Sequence, residues 1–343
     1  TSDGFRQHAD QQNIKFNSNY GIKLSSQAET RFYFTANKIN LELPNSVTKA
    51  QALTDPESAK ASALTDDEQR NIVSFRLSNK TTVQLEGNHK IDFGVFTFWK
   101  RLNHPILSVV GLIDNESVNY GFFSQNHGSY EVAGHLNRYR FGITAHFDNT
   151  DAKIWANNGG VAGALTSNSD RHAQNVVVYG ENSFYINPKF SLVTSLQYTW
   201  ANRDVFDQKT PTDSASSDFE SVNPKVGFLI KPSEKVQVFA NVSKSYEPPD
   251  FSNLTQGSTV GFSELFAQNA WTFEIGTRGE QGPVAWDISL YHADIENELL
   301  RFRATGAFTD STFNAKSTVH QGAEIGLGFQ LGENLLSKGD RLK

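Results

Sequence analysis

The sequence predicts an all-β chain whose strands form an antiparallel transmembrane β-barrel. Three observations carry that prediction. Apolar residues recur at every second position in segment after segment. The connections between segments alternate between short and long. Aromatic residues gather where the segments end.

The alternation is plainest at Tyr139, Phe141, Ile143, Ala145 and Phe147, which interleave with Arg138, Arg140, Gly142, Thr144 and His146. It recurs at Val73, Phe75 and Leu77, and at Ile91, Phe93, Val95, Thr97 and Trp99. It returns at Leu192, Thr194, Leu196, Tyr198 and Trp200, and at Val236, Val238, Ala240 and Val242. Trp286, Ile288 and Leu290, then Ala323, Ile325, Leu327 and Phe329, complete the series. A period of two places each set on one face of a strand. Helical spacing is confined to residues 50–69.

Short connections fall near residues 24–27, 87–90, 132–135, 187–189, 231–234 and 281–283. Long polar ones fall at 41–68, 102–117, 150–171, 204–220, 247–268 and 304–314. The two kinds alternate strictly and delimit about thirteen strands of roughly 12–15 residues. A soluble sandwich has shorter strands, of about 5–6 residues, and no such asymmetry. A membrane barrel has short turns on the inner side and long loops on the outer side. That polarity puts Trp99, Trp200 and Trp271 at the outer interface and Trp286 at the inner one. Trp155 falls inside an expected loop.

Composition agrees. Mean hydropathy is -0.46, and the chain has no apolar run near the ~18 residues of a membrane helix. Barrel strands average out as polar because only alternate residues meet lipid. Cysteine is absent, which excludes disulfides and thiolate metal sites. A net charge of -6 argues against nucleic acid as a partner. The chain opens at Thr1-Ser2-Asp3-Gly4 with no leader-like segment, and a further strand is expected to begin within residues 340–343. An open lipid-exposed edge is not viable, so more of the barrel is expected outside these residues.

Residues 238–329 resemble the C-terminal half of TonB-dependent siderophore receptors. The resemblance rests on Phe239-Ala240-Asn241-Val242-Ser243-Lys244-Ser245-Tyr246-Glu247-Pro248-Pro249, then Leu265-Phe266-Ala267-Gln268. It continues through Thr272-Phe273-Glu274-Ile275-Gly276-Thr277-Arg278-Gly279, Ser289-Leu290-Tyr291, Glu296-Asn297-Glu298-Leu299, Asn314-Ala315 and Gln321-Gly322-Ala323-Glu324. Leu41-Glu42-Leu43-Pro44 and Val178-Tyr179-Gly180-Glu181-Asn182-Ser183 resemble the ferric-citrate-type branch of that family.

The resemblance implies that residues 1–343 are one partial barrel domain, about 13 strands of a 22-stranded barrel, with the N-terminal plug domain outside them. It implies a receptor in the Gram-negative outer membrane, surrounded by lipid and lipopolysaccharide. Such a receptor takes up a ferric siderophore or similar iron complex. The TonB–ExbB–ExbD complex drives uptake through the plug. Iron enters only as part of the transported chelate, with no cofactor and no catalytic residue. A passive porin, or a receptor for a non-iron ligand such as cobalamin, remains the alternative.

Ferric siderophores are often anionic, so basic lumen residues near the outer side are the candidate ligand contacts. Arg203 is in phase with the lumen, and Arg301 and Arg303 flank the outer end of a strand. His146 sits on the lumen face and His320 on a descending strand; both fit either ligand contact or solvent. Tyr246-Glu247-Pro248-Pro249 reads either as a shaped loop over the chamber or as a strand terminator, because two prolines remove two backbone donors. Arg138 and Arg140, near the inner end, are expected to face the plug. The acidic stretches 55–67 and 204–218 show no calcium-loop spacing, and the nine histidines show no metal-ligand spacing.

Overall fold

The computed structural model describes residues 1–255, 262–303, 310–330, 332–333 and 341–342. Thirteen antiparallel strands follow one another as a meander, each paired with its neighbours in sequence. They are β1 (Gln11–Lys23), β2 (Ala28–Leu41), β3 (Asn71–Gln84), β4 (Lys90–Pro105), β5 (Leu112–Val132), β6 (His135–Asn158) and β7 (Val161–Asn187). Then come β8 (Phe190–Asp207), β9 (Ala215–Ser233), β10 (Val236–Glu247), β11 (Gln268–Gln281), β12 (Val284–Phe302) and β13 (Ser311–Phe329). Two short helices, α1 (Lys49–Thr54) and α2 (Ala61–Thr65), occupy the expected helical stretch, and α3 (Phe251–Leu254) lies between β10 and β11.

Paired residues share a face, so the register sorts every side chain. One rung joins Val95, Phe122, Ala145, Val176 and Trp200. On this face Val95 is 59% and Leu196 54% exposed, although both are large and apolar. Phe93, Phe141, Phe273, Ile275, Leu290 and Ile325 are exposed beside them. A soluble sheet would bury such a face, whereas lipid covers it in a barrel. The opposite face carries Lys90, Asp92, Arg138, Arg140, Glu274 and Arg278 and lines the lumen.

The aromatic belts follow. Trp99 stacks on Phe75 with ring centroids 5.6 Å apart, and Tyr120 stacks on Phe147 at 5.4 Å, both toward the long-loop side. Phe190 stacks on Phe228 at 5.8 Å beside a short turn. Trp286 lies two residues into β12, paired with Gly279 and Leu327.

Several expected boundaries are corrected. Residues 102–117, 150–171 and 204–220 are mostly ladder rather than loop. β4 and β5 run on to residues 105 and 112, and β8 and β9 to 207 and 215. β6 and β7 meet at Gly159-Gly160, whose φ values of 62° and 85° suit a tight hairpin turn that L-residues adopt poorly. Trp155 therefore sits in β6, paired with Leu112 and Leu165. Strands reach 27 residues instead of the expected 12–15. The reason is physical. Beyond the bilayer both faces are wet, so the apolar alternation stops while backbone pairing continues. The turn expected at 231–234 lies at 234–235, and the one at 87–90 centres on a 3-10 turn at Glu86–Asn88. Arg341–Leu342, inside the expected further strand, pairs with Gly332–Glu333 and not with the main sheet.

Gly276 shows how the lumen wall is built. A Cβ there would lie 2.4 Å from Phe239 Cζ, so the ring lies flat across the glycine. The Arg278 guanidinium sits 5.2 Å over the same ring. Gly322 is crossed in the same way by Tyr291. Gly276→Val is expected to displace Phe239 and unstack Arg278, costing about 1–3 kcal/mol by overpacking. The midpoint of urea unfolding in detergent or lipid checks this; an unchanged midpoint would show that the ring is free to move.

Candidate functional site: the outer lumen wall and its inward loop

Three successive lumen-facing rungs cross β3 to β9 on the outer side. The lowest holds Ser78, Phe96, Gly121, His146, Asn175, Ala201 and Phe219. The next holds Arg76, Phe98, Asn119, Asp148, Ala173, Arg203 and Ser217. The highest holds Ser74, Lys100, Ser117, Thr150, Arg171, Val205 and Ala215.

His146 does face the lumen. Its Nε2 lies 3.1 Å from Asn119 Oδ1, and its ring meets Phe96 edge-on at 5.7 Å. It lines a concavity of about 740 Å³ with Tyr33, Arg76, Phe96, Phe98 and Asn119. The Arg76 guanidinium sits 5.1 Å over the Phe98 ring.

Arg203 is buried, with 8% exposure, and is a brace. Its Nε donates to the Pro249 carbonyl at 3.2 Å, Nη1 to the Asn202 and Gln174 carbonyls, and Nη2 to Asn175 Oδ1 at 2.9 Å. Burial pushes its pKa below the ordinary arginine value, and Asp250 and Asp148 oppose that shift.

The Pro249 contact carries the β10–β11 connection inward. β10 parts from β9 above Ser243, and Tyr246 packs against Ala201, Phe219 and Ala267. Glu247 ends the ladder and accepts from Gln268 Nε2 at 3.3 Å. Pro248 follows, and Pro249 is among the most buried side chains. Asp250 caps α3, whose Leu254 is fully buried. Asn253 Nδ2 then reaches Thr312 Oγ1 of β13 at 3.3 Å. Asn314 holds the returning limb. Its Oδ1 accepts from Phe266 N at 2.8 Å, and its Nδ2 donates to the Phe266 and Asn297 carbonyls. The Tyr246–Pro249 motif thus ends the β10 ladder and begins a limb that packs on the lumen face of β8. Residues 256–261 of that connection lie outside the described residues, as do 304–309 of the next.

The remaining predicted positions divide. Arg301 Nη2 donates to Ser252 Oγ at 2.6 Å and joins the loop bracing. Arg303 is exposed and paired with Asp310 at 2.7 Å, apart from the site. His320 pairs with Glu298 at 3.3 Å. Glu274, Arg278 and Glu324 line a separate concavity of about 680 Å³ toward the short-turn side. There Glu274 accepts from Asn241 Nδ2 at 2.9 Å. Arg138 and Arg140 line a third concavity with Lys90, His127 and Glu181, near the inner turns.

Arg76, Lys100 and Arg171 were not among the expected contacts. Arg171 fell inside an expected loop, where no phase was read. Lys100 directly follows Trp99, whose outward phase already placed it in the lumen. Arg171 Nε donates to Ser169 Oγ at 3.2 Å, and burial alone pushes its pKa below the ordinary value.

The sequence profile described as TonB dependent receptor-like, beta-barrel matches residues 2–340. The chain belongs to that family. This places the barrel in the Gram-negative outer membrane. The receptor barrel is also similar to solved structures at low identity. The ferric citrate transporter FecA in its unliganded form superposes with a TM-score of 0.79 at 12% identity, covering 95% of this chain and 49% of that one. The ferric yersiniabactin uptake receptor FyuA from Yersinia pestis gives 0.73 at 11%, covering 94% and 50%. The ferric-catecholate import receptor Fiu from K12 E. coli, in its closed form, gives 0.71 at 13%, covering 96% and 57%. The chain therefore spans about half the length of these structures. No curated protein sequence matches it.

Proposed function

We propose that this receptor barrel belongs to a protein that takes up a ferric siderophore or similar iron complex across the outer membrane. Uptake is driven by the TonB–ExbB–ExbD complex acting on a plug. The observation that carries the reading is the family match over residues 2–340, and an inward loop shapes the outer lumen. Arg203, Asn253 and Asn314 hold that loop against the lumen face of β8 and β13. The lumen wall of β2 to β6 offers an arginine, aromatic rings and amides in place of a bare polar channel. Arg138, Arg140 and Lys90, on the inner part of the wall, suit polar contact with a plug.

The test is uptake of labelled iron by iron-starved cells carrying the full-length gene, across a panel of purified siderophores. A deletion strain and a strain lacking the coupling complex run beside it. Uptake of one complex, lost in both controls, is the expected result. Uptake that survives loss of the coupling complex moves the assignment to a passive channel. Absence of any iron uptake moves it to another ligand, such as cobalamin.

A further inference from the structure

We infer that the mouth of this lumen takes an anionic ligand, and that Lys100 and Arg171 are the free cations that grip it. The inference deepens the uptake reading and rests on it for the direction of entry.

The upper two lumen rungs carry four cations, Arg76, Lys100, Arg171 and Arg203, against one carboxylate, Asp148. Two of the four are committed. Arg203 is spent on the loop, and Arg76 is stacked on Phe98. Asp148 accepts from Thr150 Oγ1 at 2.8 Å, and its charge bears on Arg203. Lys100 makes no hydrogen bond or ion pair among the described residues, and Arg171 makes only its bond to Ser169. A sheltered guanidinium normally finds a carboxylate, because removal from water is costly otherwise. Here none is supplied from the wall.

The outward face at the same height is the reverse. Asp114, Glu116, Asp151, Asp170, Asp204 and Asp218 occupy its positions, and its cations Arg101 and Lys153 are paired with Asp114 and Asp151. In a chain of net charge -6, the two upper lumen rungs are thus the cation-rich face, and the next lumen carboxylate up β8, Asp207, is taken by the Lys209 and Thr210 backbone N–H groups. General basicity does not explain the lumen.

Geometry narrows the class. Lys100 and Arg171 lie on one rung, three strand spacings apart, or roughly 14 Å between backbones. Between them Ser117 Oγ lies 2.8 Å from Thr150 Oγ1, to which it donates while the Thr150 proton goes to Asp148. A ligand presenting two or more carboxylate or similar oxyanion groups meets a cation at each end and hydroxyls in the middle. Guanidinium binds such oxygens bidentately and ammonium as a point charge. An uncharged ligand gains nothing from either cation.

The test is equilibrium binding to the purified full-length receptor of ferric citrate, an anionic chelate, and of an uncharged ferric trihydroxamate. Wild type, K100Q/R171Q and the outward-facing control R101Q are compared in low and high salt, each checked for its folded, heat-modifiable form. Ferric citrate is expected to bind more tightly than the trihydroxamate, to weaken at least about tenfold in the double variant, and to weaken in salt. R101Q should stay within about twofold of wild type. Equal affinity of wild type and the double variant for ferric citrate overturns the inference. So does tight, salt-independent binding of the trihydroxamate alone, which leaves the iron-uptake reading standing. Conversely, binding of iron-free citrate with the same dependence on Lys100 and Arg171, but of neither iron complex, upholds the inference while the iron reading fails.

Discussion

Val95→Arg and Leu196→Arg are each expected to destabilise the barrel by about 2–4 kcal/mol, the cost of a guanidinium facing lipid near the bilayer midplane. Both side chains stand on the outward face, more than half exposed, within the band bounded by the aromatic belts. Val95 lies four residues below Trp99, and Leu196 four below Trp200. Ser195→Arg places the same charge one residue away, on the lumen wall, where water or polar partners solvate it. It should cost well under half as much. Refolding of the full-length protein into lipid, with unfolding followed by tryptophan fluorescence, reads the difference. A greater cost at position 195 than at 196 would mean that the register is shifted by one residue. Such a shift would invert every inward and outward assignment.

The same alternation explains how much of the molecule was legible in its sequence. Inside the bilayer the two faces of a strand meet different media, so Leu192 through Trp200 announce both the strand and its phase. Above the belts that contrast vanishes, and 150–171 reads as polar loop although it forms the longest hairpin of the sheet. Arg171 was lost with it. The Tyr246–Pro249 motif was legible as the end of β10, because proline cannot donate to a ladder. Its inward course was not legible, since it depends on Arg203, more than forty residues earlier, and on Thr312 and Asn314, more than sixty later. Pairings of that kind are set by closure of the sheet and leave no local signal. Arg203 itself was read correctly as a lumen residue. Its partners, three backbone carbonyls and an amide, could be seen only in the fold.

Removing that brace should therefore affect the loop more than the barrel. Arg203→Leu keeps the hydrophobic bulk but strips a donor from the Pro249, Gln174 and Asn202 carbonyls and from Asn175 Oδ1. Each buried acceptor left unpaired costs about 1–3 kcal/mol, and relaxation of the Pro249 limb into solvent is the cheapest way to recover part of it. Arg203→Lys should rescue little, because one ammonium cannot reach in the three directions that the guanidinium fork spans. The expected signature is faster proteolysis within residues 248–267 in both variants, with barrel unfolding less affected. Ligand affinity should fall at least about tenfold, which corresponds to 1.4 kcal/mol. If Arg203→Lys protects the loop as well as wild type does, charge alone holds it, through Asp250 and Asp148, and the geometry of the fork is incidental. If neither variant alters proteolysis, the loop is held from the β13 side, and Asn253 and Asn314 become its principal anchors.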